Sequence, residues 1–339
     1  MRISKLLFIV LVAGIHISLH AGCSHNSAKS GHVAEIHISH AGPVSKHGQL
    51  KVQGVHLVDK NDQPVVLRGV SFGWSTAHGQ FYNEQAVGFL VSDWKCAVVR
   101  PAIGVEPKRG YIDNPELHTQ LAINVIDAAI KNDVYVVIDW HSHNIRLPEA
   151  VEFFKKMATQ YGKYPNIIYE IFNEPVYQSW EEVKQYSETV IQAIREIDEN
   201  NIILIGSPHW DQDVHIAADS PITGYTNLMY TFHFYAATHK EELRKRADYA
   251  LSKGLPLFVS ECGGMEASGD GPLDMDSWNS WLDWMEENKL SWVCYSFSSK
   301  NETCSMIKDD FVNPKGPWSD SDLKEWGRVV REALREKHK

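Results

Sequence analysis

The chain has 339 residues, with 33 Lys and Arg against 43 Asp and Glu, a net charge of −10 and no basic cluster. That balance argues against a nucleic acid or an anionic membrane surface as partner. With 11 Trp, 13 Tyr and 11 Phe, residues 50–339 can bury a large core, and no second linker splits them, so they suit one barrel-sized domain.

Taken from its start, the chain places Arg2 and Lys5 before the apolar run Leu6-Leu7-Phe8-Ile9-Val10-Leu11-Val12. These are the charged and apolar regions of an export signal, and the run is too short to span a bilayer as a mature helix. It closes on Leu19-His20-Ala21-Gly22-Cys23, which resembles a bacterial lipobox, although His20 departs from the aliphatic residue usual there. Residues 1–22 therefore read as a signal. Cys23 is the expected lipidated N-terminus of an exported product at the cell surface, and plain cleavage with secretion is the alternative. Residues 23–49 are rich in Ser, His, Gly, Ala and Lys, cannot offset their ordering entropy by burial, and read as a tether. Its histidines lack the paired spacing of a metal site. Four further cysteines, Cys96, Cys262, Cys294 and Cys304, show no C-x-x-C zinc pattern. Export permits a Cys294–Cys304 disulfide, and buried free thiols are the alternative.

From residue 50 onward strand and helix patterns alternate. Residues 50–58 with the turn Asp59-Lys60-Asn61-Asp62 read as an extra hairpin. Short β-rich runs follow at 64–69, 97–100, 134–139, 166–172, 202–206, 228–234, 257–260 and 290–296. Amphipathic segments lie between them at 85–94, 115–132, 150–161, 178–200, 240–253 and 275–288, and 320–337 closes the chain. Eight strands alternating with helices imply a parallel sheet closed as a (β/α)₈ TIM barrel. A doubly wound sheet is disfavoured because no glycine-rich phosphate loop follows the first strand.

In such a barrel the site lies at the carboxyl ends of the strands, which here carry Arg100, His141, Asn173-Glu174, His233, Tyr235, Glu261 and Tyr295. The run Ile167-Ile168-Tyr169-Glu170-Ile171-Phe172-Asn173-Glu174-Pro175 reads as a buried strand ending on Glu174. Pro256-Leu257-Phe258-Val259-Ser260-Glu261-Cys262-Gly263-Gly264 repeats the design with Glu261 at its tip. Two carboxylates among neutral polar groups and aromatic rings suit glycosidic bond cleavage. A metal shared by His141 and His143 is the competing reading, but i and i+2 on a strand point to opposite faces, so a loop bend would be required.

These residues carry a resemblance. From about Val52 to Trp326 the chain is similar to the cellulases of glycoside hydrolase family five, second subfamily. Asn173-Glu174-Pro175 matches the acid/base motif, Ser260-Glu261-Cys262-Gly263 matches the nucleophile strand, and Arg100, His141, His233 and Tyr235 follow in the family's order. The resemblance implies a retaining endo-β-1,4-glucanase, with Glu261 as nucleophile and Glu174 as acid/base, needing no metal or cofactor and expected to act as a monomer on β-1,4-glucan. It further implies that Asn173 binds the 2-hydroxyl, that Arg100 and Tyr235 orient Glu261, and that His141 and His233 line the cleavage subsite. Trp210 resembles the family's sugar platform, and Lys300 with Glu302 its hydroxyl-binding pair. A β-mannanase or mixed-linkage glucanase is the nearest alternative, and a non-catalytic glycan-binding barrel is the alternative of another class. Four positions depart from the family pattern. Gly73 and Ala77 stand where a His and a Trp are common, with Trp74 a displaced candidate platform or a core residue. Tyr295 fills the place of the usual Trp under the cleaved sugar, and Cys294 replaces an Asn.

Overall fold

A computed structural model describes residues 42–310 and 313–338. The signal, Cys23 and most of the tether lie outside these residues.

The chain opens with a short helix, Pro43–His47, whose Val44 is buried and whose backbone bonds to Asp133. The folded unit thus begins before residue 50, and the tether is shorter than 23–49. Strands β1 (Lys51–Gln53) and β2 (His56–Val58) pair antiparallel around Gly54, at φ 62°, as the expected hairpin. Nine parallel strands follow: β3 (Arg68–Phe72), β4 (Val98–Arg100), β5 (Ala102–Gly104), β6 (Tyr135–His141), β7 (Ile167–Glu170), β8 (Ile202–Ile205), β9 (Leu228–Tyr235), β10 (Leu257–Gly263) and β11 (Trp292–Phe297). Pro101, which has no N–H to give a ladder, separates β4 from β5, and both pair with β6. They fill one position, so the sheet has eight positions and closes where β11 meets β3 and β4 meets β6.

Several boundaries differ from the sequence pattern for identifiable reasons. The first barrel strand starts at Arg68 rather than residue 64, because Pro64 makes only an isolated bridge to Val58. The strand before Glu174 ends at Glu170, and residues 171–174 continue as a loop tied to the Trp140 and Ser142 carbonyls. The segment 178–200 condenses to helix Trp180–Arg195. Ser179 and Glu182 cap it reciprocally, while the Asp198 side chain takes the Asn200 and Asn201 amides and turns the chain into β8. The last segment divides into a short 3₁₀ turn, Asp320–Asp322, and helix Glu325–Lys337.

Strand alternation explains where the chemistry sits. Val136, Ile138 and Trp140 of β6 join Phe232 and Phe234 of β9 in the layer under the helices. The opposite set points into the barrel. At its lower end Val98, Val137, Ile168, Leu204, Met229, Phe258 and Val293 form a second cluster, stoppered by Val44, Leu50 and Leu57. Two residues further along the same strands the inward positions become Arg100, Asp139, Glu170, Thr231 and Ser260, all without exposed surface.

Close strand packing requires glycine at one point: a Cβ on Gly69 would lie 1.8 Å from the Val98 carbonyl oxygen. Gly69→Ala should therefore cost about 3 kcal/mol through forced separation of β3 and β4. Gly54→Ala, where nothing lies within 4 Å and only the positive φ is strained, should cost about 1 kcal/mol. Denaturant unfolding of both variants checks the difference, and equal losses would contradict it.

Candidate active site

Arg100, at the end of β4, is fully buried and spends all its donors. Its Nε donates to Glu170 Oε2 (2.6 Å), Nη2 to Glu170 Oε1 (3.1 Å) and Asn173 Oδ1 (2.6 Å), and Nη1 to Glu261 Oε2 (3.1 Å) and Ser71 Oγ (3.2 Å). Asp139 lies 3.0 Å from Nη2. Burial alone would raise the Glu170 carboxyl, but the Arg100 charge and hydrogen bonds from His233 and Arg100 draw it from its ordinary 4.5 down to about 2. Burial depresses the His141 imidazole to about 3, with the Arg100 charge acting in the same direction, so His141 is neutral and bonds Asp139 Oδ2 at 2.6 Å.

Glu261 receives a second donor, the Tyr235 hydroxyl, on Oε1 at 2.6 Å. Glu174 sits across the cleft between two imidazoles. Its Oε1 lies 2.9 Å from His233 Nδ1 and its Oε2 lies 3.2 Å from His143 Nε2. Burial alone would raise the Glu174 carboxyl, but these two hydrogen bonds and the charges behind them hold it well below the usual carboxylate range. The state of His233 follows from its neighbours. Ser260 gives its hydroxyl proton to Glu170 (2.7 Å), so it must accept from His233 Nε2 (2.8 Å), while an ionised Glu174 accepts from Nδ1. Both nitrogens then carry protons. Although burial opposes the imidazolium, the carboxylates of Asp211, Glu170 and Glu174 raise its pKa well above the ordinary value. An oxygen of each of Glu174 and Glu261 and a ring nitrogen of His233 lie within 4.8 Å of one another.

Around this centre opens a cleft of about 860 Å³. It is lined by ten of the twelve residues singled out in the sequence: Trp74, His141, Glu174, Trp210, His233, Tyr235, Glu261, Tyr295, Lys300 and Glu302. Arg100 and Asn173 lie beneath it, and Asn173 Nδ2 is buried with no partner. Tyr295 stands parallel to the His141 ring at 6.4 Å, and Lys300 pairs with Glu302. Trp210 is 38% exposed on a turn where His209, Trp210 and Asp211 all have positive φ. Trp74 lies in the cleft wall, edge-on to His141 at 4.4 Å. A side chain at Gly73 would strike His78, whose ring comes within 2.6 Å of the position a Cβ would take.

Two expectations change. His141 and His143 both face the cleft, because the chain leaves the strand after His141, but His141 Nδ1 is engaged by Asp139 and His143 Nε2 by Glu174. No Cys294–Cys304 disulfide forms. Both thiols are free and buried, and Cys294 Sγ instead lies 3.8 Å from Cys262 Sγ across β10 and β11. Five participants escaped the sequence reading in these roles: Asp139, Glu170, Asp211, His143, and Glu106, whose Oε1 fixes the loop after β6 through Ser142 (2.7 Å) and the His143 amide (2.8 Å). The available signal was an acid inside an apolar strand run, as in Val137-Ile138-Asp139-Trp140 and Ile168-Tyr169-Glu170-Ile171.

Comparison with known proteins agrees with this geometry. Residues 58–301 match the family model described as Cellulase (glycosyl hydrolase family 5). An endoglucanase of Clostridium saccharobutylicum is 40% identical over 301 residues, 87% of this chain and 66% of the relative. Endoglucanase Z of Dickeya dadantii is 42% identical over 244 residues, 71% of this chain and 57% of the relative. The chain thus spans just under two thirds of the length of the first of these curated relatives and less of the second. Among solved structures, one from Cytophaga hutchinsonii superposes with a TM-score of 0.85 at 44% identity, covering 87% of this chain and 97% of that one. The Thermobifida fusca endoglucanase catalytic domain, solved in complex with cellotetraose, gives 0.82 at 31% identity, covering 87% and 99%.

Replacing Arg100 by Met should destabilise the fold by about 3–5 kcal/mol at pH 7, because Glu170 would lose its buried counter-charge and Asp139 and Glu261 the guanidinium they contact. In the wild type the depressed Glu170 pKa contributes stability that is present above about 4.5 and lost as pH falls toward about 2. Without the guanidinium, burial favours the protonated acids, so the deficit should narrow below pH 5. A deficit independent of pH, measured by urea unfolding across pH 3–7, would contradict this electrostatic account.

Proposed function

The chain belongs to glycosyl hydrolase family 5, the cellulases, and from that premise we propose that it is an endo-β-1,4-glucanase that cleaves internal glucosidic bonds with retention of configuration. The observation that carries the stereochemistry is the approach of the two carboxylates. Oxygens of Glu174 and Glu261 lie within 4.8 Å, close to the roughly 5–5.5 Å spacing of retaining enzymes and too near for the water that inversion places between them. The cellotetraose complex of the related Thermobifida fusca domain supports a β-1,4-glucan substrate.

Glu261 is the nucleophile. Donors from Arg100 and Tyr235 hold it aimed, and its attack on the anomeric carbon forms a glycosyl-enzyme. Glu174 protonates the departing sugar oxygen, then takes a proton from the water that releases the product. Asn173, whose Oδ1 is held by Arg100, has its unpartnered Nδ2 free for the 2-hydroxyl. Tyr295 would floor the cleaved sugar, Trp210 would offer a further stacking face, and Lys300 with Glu302 would bind hydroxyls, all four lining the cleft. The N-terminal pattern supports export, with Cys23 as the lipid-bearing residue. In a bacterial host, Cys23→Ala should shift the enzyme from the membrane to the soluble fraction, and an unchanged distribution would refute lipidation.

Glu261→Ala should abolish turnover by several orders of magnitude while glucan binding survives, because the nucleophile lowers the barrier rather than the ground state. Fresh product from the wild type, followed by NMR, should appear as the β-anomer, and α-anomer would exclude a retaining role for Glu261. Glu174→Ala should lose cellulose cleavage yet still form the glycosyl-enzyme from aryl cellobiosides with acidic leaving groups. Tyr295→Phe should be nearly silent and Tyr295→Ala should weaken binding by roughly 1–3 kcal/mol. An Ala variant that melts lower but keeps full kcat/KM would place Tyr295 in the barrel wall instead.

A further inference from the structure

Glu174 meets two imidazoles, and they are held differently. His233 is locked: Nε2 is engaged by Ser260 at 2.8 Å and lies 3.4 Å from Asp211, and only 2% of the residue is exposed. His143 is anchored through its main chain by Glu106, so its ring can turn about its side-chain bonds without moving the loop. That ring rests edge-on against Trp74 at 5.4 Å, and 36% of the side chain is open to the cleft. Oε1 of Glu174 faces the fixed imidazole and Oε2 faces the movable one. A glycosidic oxygen that approaches Oε2, the side of Glu174 without the locked imidazole, would compete with His143 for that oxygen.

We propose that His143 stores the proton that Glu174 delivers to the leaving sugar, an inference that rests on the reading of Glu174 as the acid. As substrate enters, the Nε2–H bond of the imidazolium breaks and an O–H bond forms on Oε2. The neutral ring then turns aside, and the carboxylic acid passes the same proton to the glycosidic oxygen. After deglycosylation Glu174 holds a proton taken from water and returns it to His143. The surroundings favour such a store. Burial alone would depress the His143 imidazole, but the hydrogen bond to Glu174 and the charges of Glu174, Glu106 and Glu261 raise it. The other groups facing the pair are the neutral His141 of β6, the charged His233 with Tyr235 of β9, His239 beyond it, and Asp211 after β8.

Two coupled groups release their last proton at a pKa that belongs to the pair and is never below that of Glu174 alone. Glu174 must be protonated to act as the acid, so this pKa sets the alkaline limb of kcat/KM. Removing His143 leaves a single group that deprotonates at lower pH. The test measures kcat/KM against pH for the wild type, His143→Gln and His143→Ala on two aryl cellobiosides, one with a phenol and one with a dinitrophenol leaving group. On the phenol substrate the alkaline limb should move down by about one pH unit or more in both variants. On the dinitrophenol substrate, which needs no proton, that alkaline limb should be absent in the wild type and in both variants alike. Gln still donates to Oε2 but carries no exchangeable charge, so a Gln profile superimposable on the wild type would reduce His143 to a positioning contact and overturn the proposal. A lowered melting temperature with an unshifted limb would do the same. A wild type that cleaves neither glucan nor aryl cellobioside would sink the glucanase reading itself, and this inference with it.

Discussion

A guanidinium with no exposed surface, that of Arg100, lies under the cleft with Asp139 at 3.0 Å, Glu170 at 2.6 Å and Glu261 at 3.1 Å. Neither the cation nor the acids would be tolerated there alone, since a buried unpaired charge costs several kcal/mol. Each acid carries the influence of Arg100 to a different part of the site. Glu261 receives it directly, and Asp139 passes it to His141. Glu170 passes it through Ser260 to His233, and so to Glu174. The geometry of both central carboxylates therefore depends on one side chain that neither solvent nor substrate touches.

That arrangement needs a scaffold that buries strands on both faces yet changes character along their length. The parallel barrel supplies it. Val98 and Arg100 share one inward line of β4, Val137, Asp139 and His141 one line of β6, and Met229, Thr231, His233 and Tyr235 one line of β9. The lower half of each line pays in apolar burial for the charged upper half. The N-terminal segment completes the lower half, because Val44, Leu50 and Leu57 close an end that would otherwise admit water beneath Arg100.

The barrel and the order of the rim residues were legible in the sequence, because alternation of strand and helix patterns is local and each Glu lies in or just past an apolar run with turn residues beyond it. The support beneath them was much less legible. Glu170 and Asp139 sit inside apolar strand runs, where nothing local says whether a charge faces a helix or the barrel axis. The partnership is decided by the eightfold closure that brings residues 70 positions apart within 2.6 Å. His143 was read through strand periodicity, and that rule stopped applying one residue too early, since β6 ends at His141. Between the disulfide and the free buried thiols that the sequence left open, the fold selects the thiols for a related reason. Cys294 and Cys304 are near in sequence, but Cys294 belongs to the strand ladder and is opposed by Cys262 of the neighbouring strand. The tether was placed too long because residues 43–47 are polar on average, and the one buried contact, Val44, carries no pattern of its own.

The turn after β8 joins an exposed aromatic face to the support of Glu174. His209, Trp210 and Asp211 have φ of 59°, 55° and 57°, a left-handed run that costs of order 1 kcal/mol per residue outside glycine. It persists because the turn is tied at several points. The Trp210 amide donates to the Pro175 carbonyl at 3.0 Å, the Ser207 amide to Asp211 Oδ1 at 2.6 Å, and the Asp211 amide to the Ser207 carbonyl at 3.2 Å. The first of these ties reaches the residue next to Glu174. A right-handed turn could not place successive side chains as this one does, with the Trp210 face turned out to the cleft and the Asp211 carboxylate turned in, fully buried, 3.4 Å from His233. The strain therefore couples the exposed face of Trp210 to the buried Asp211 carboxyl group packed against the partner of Glu174.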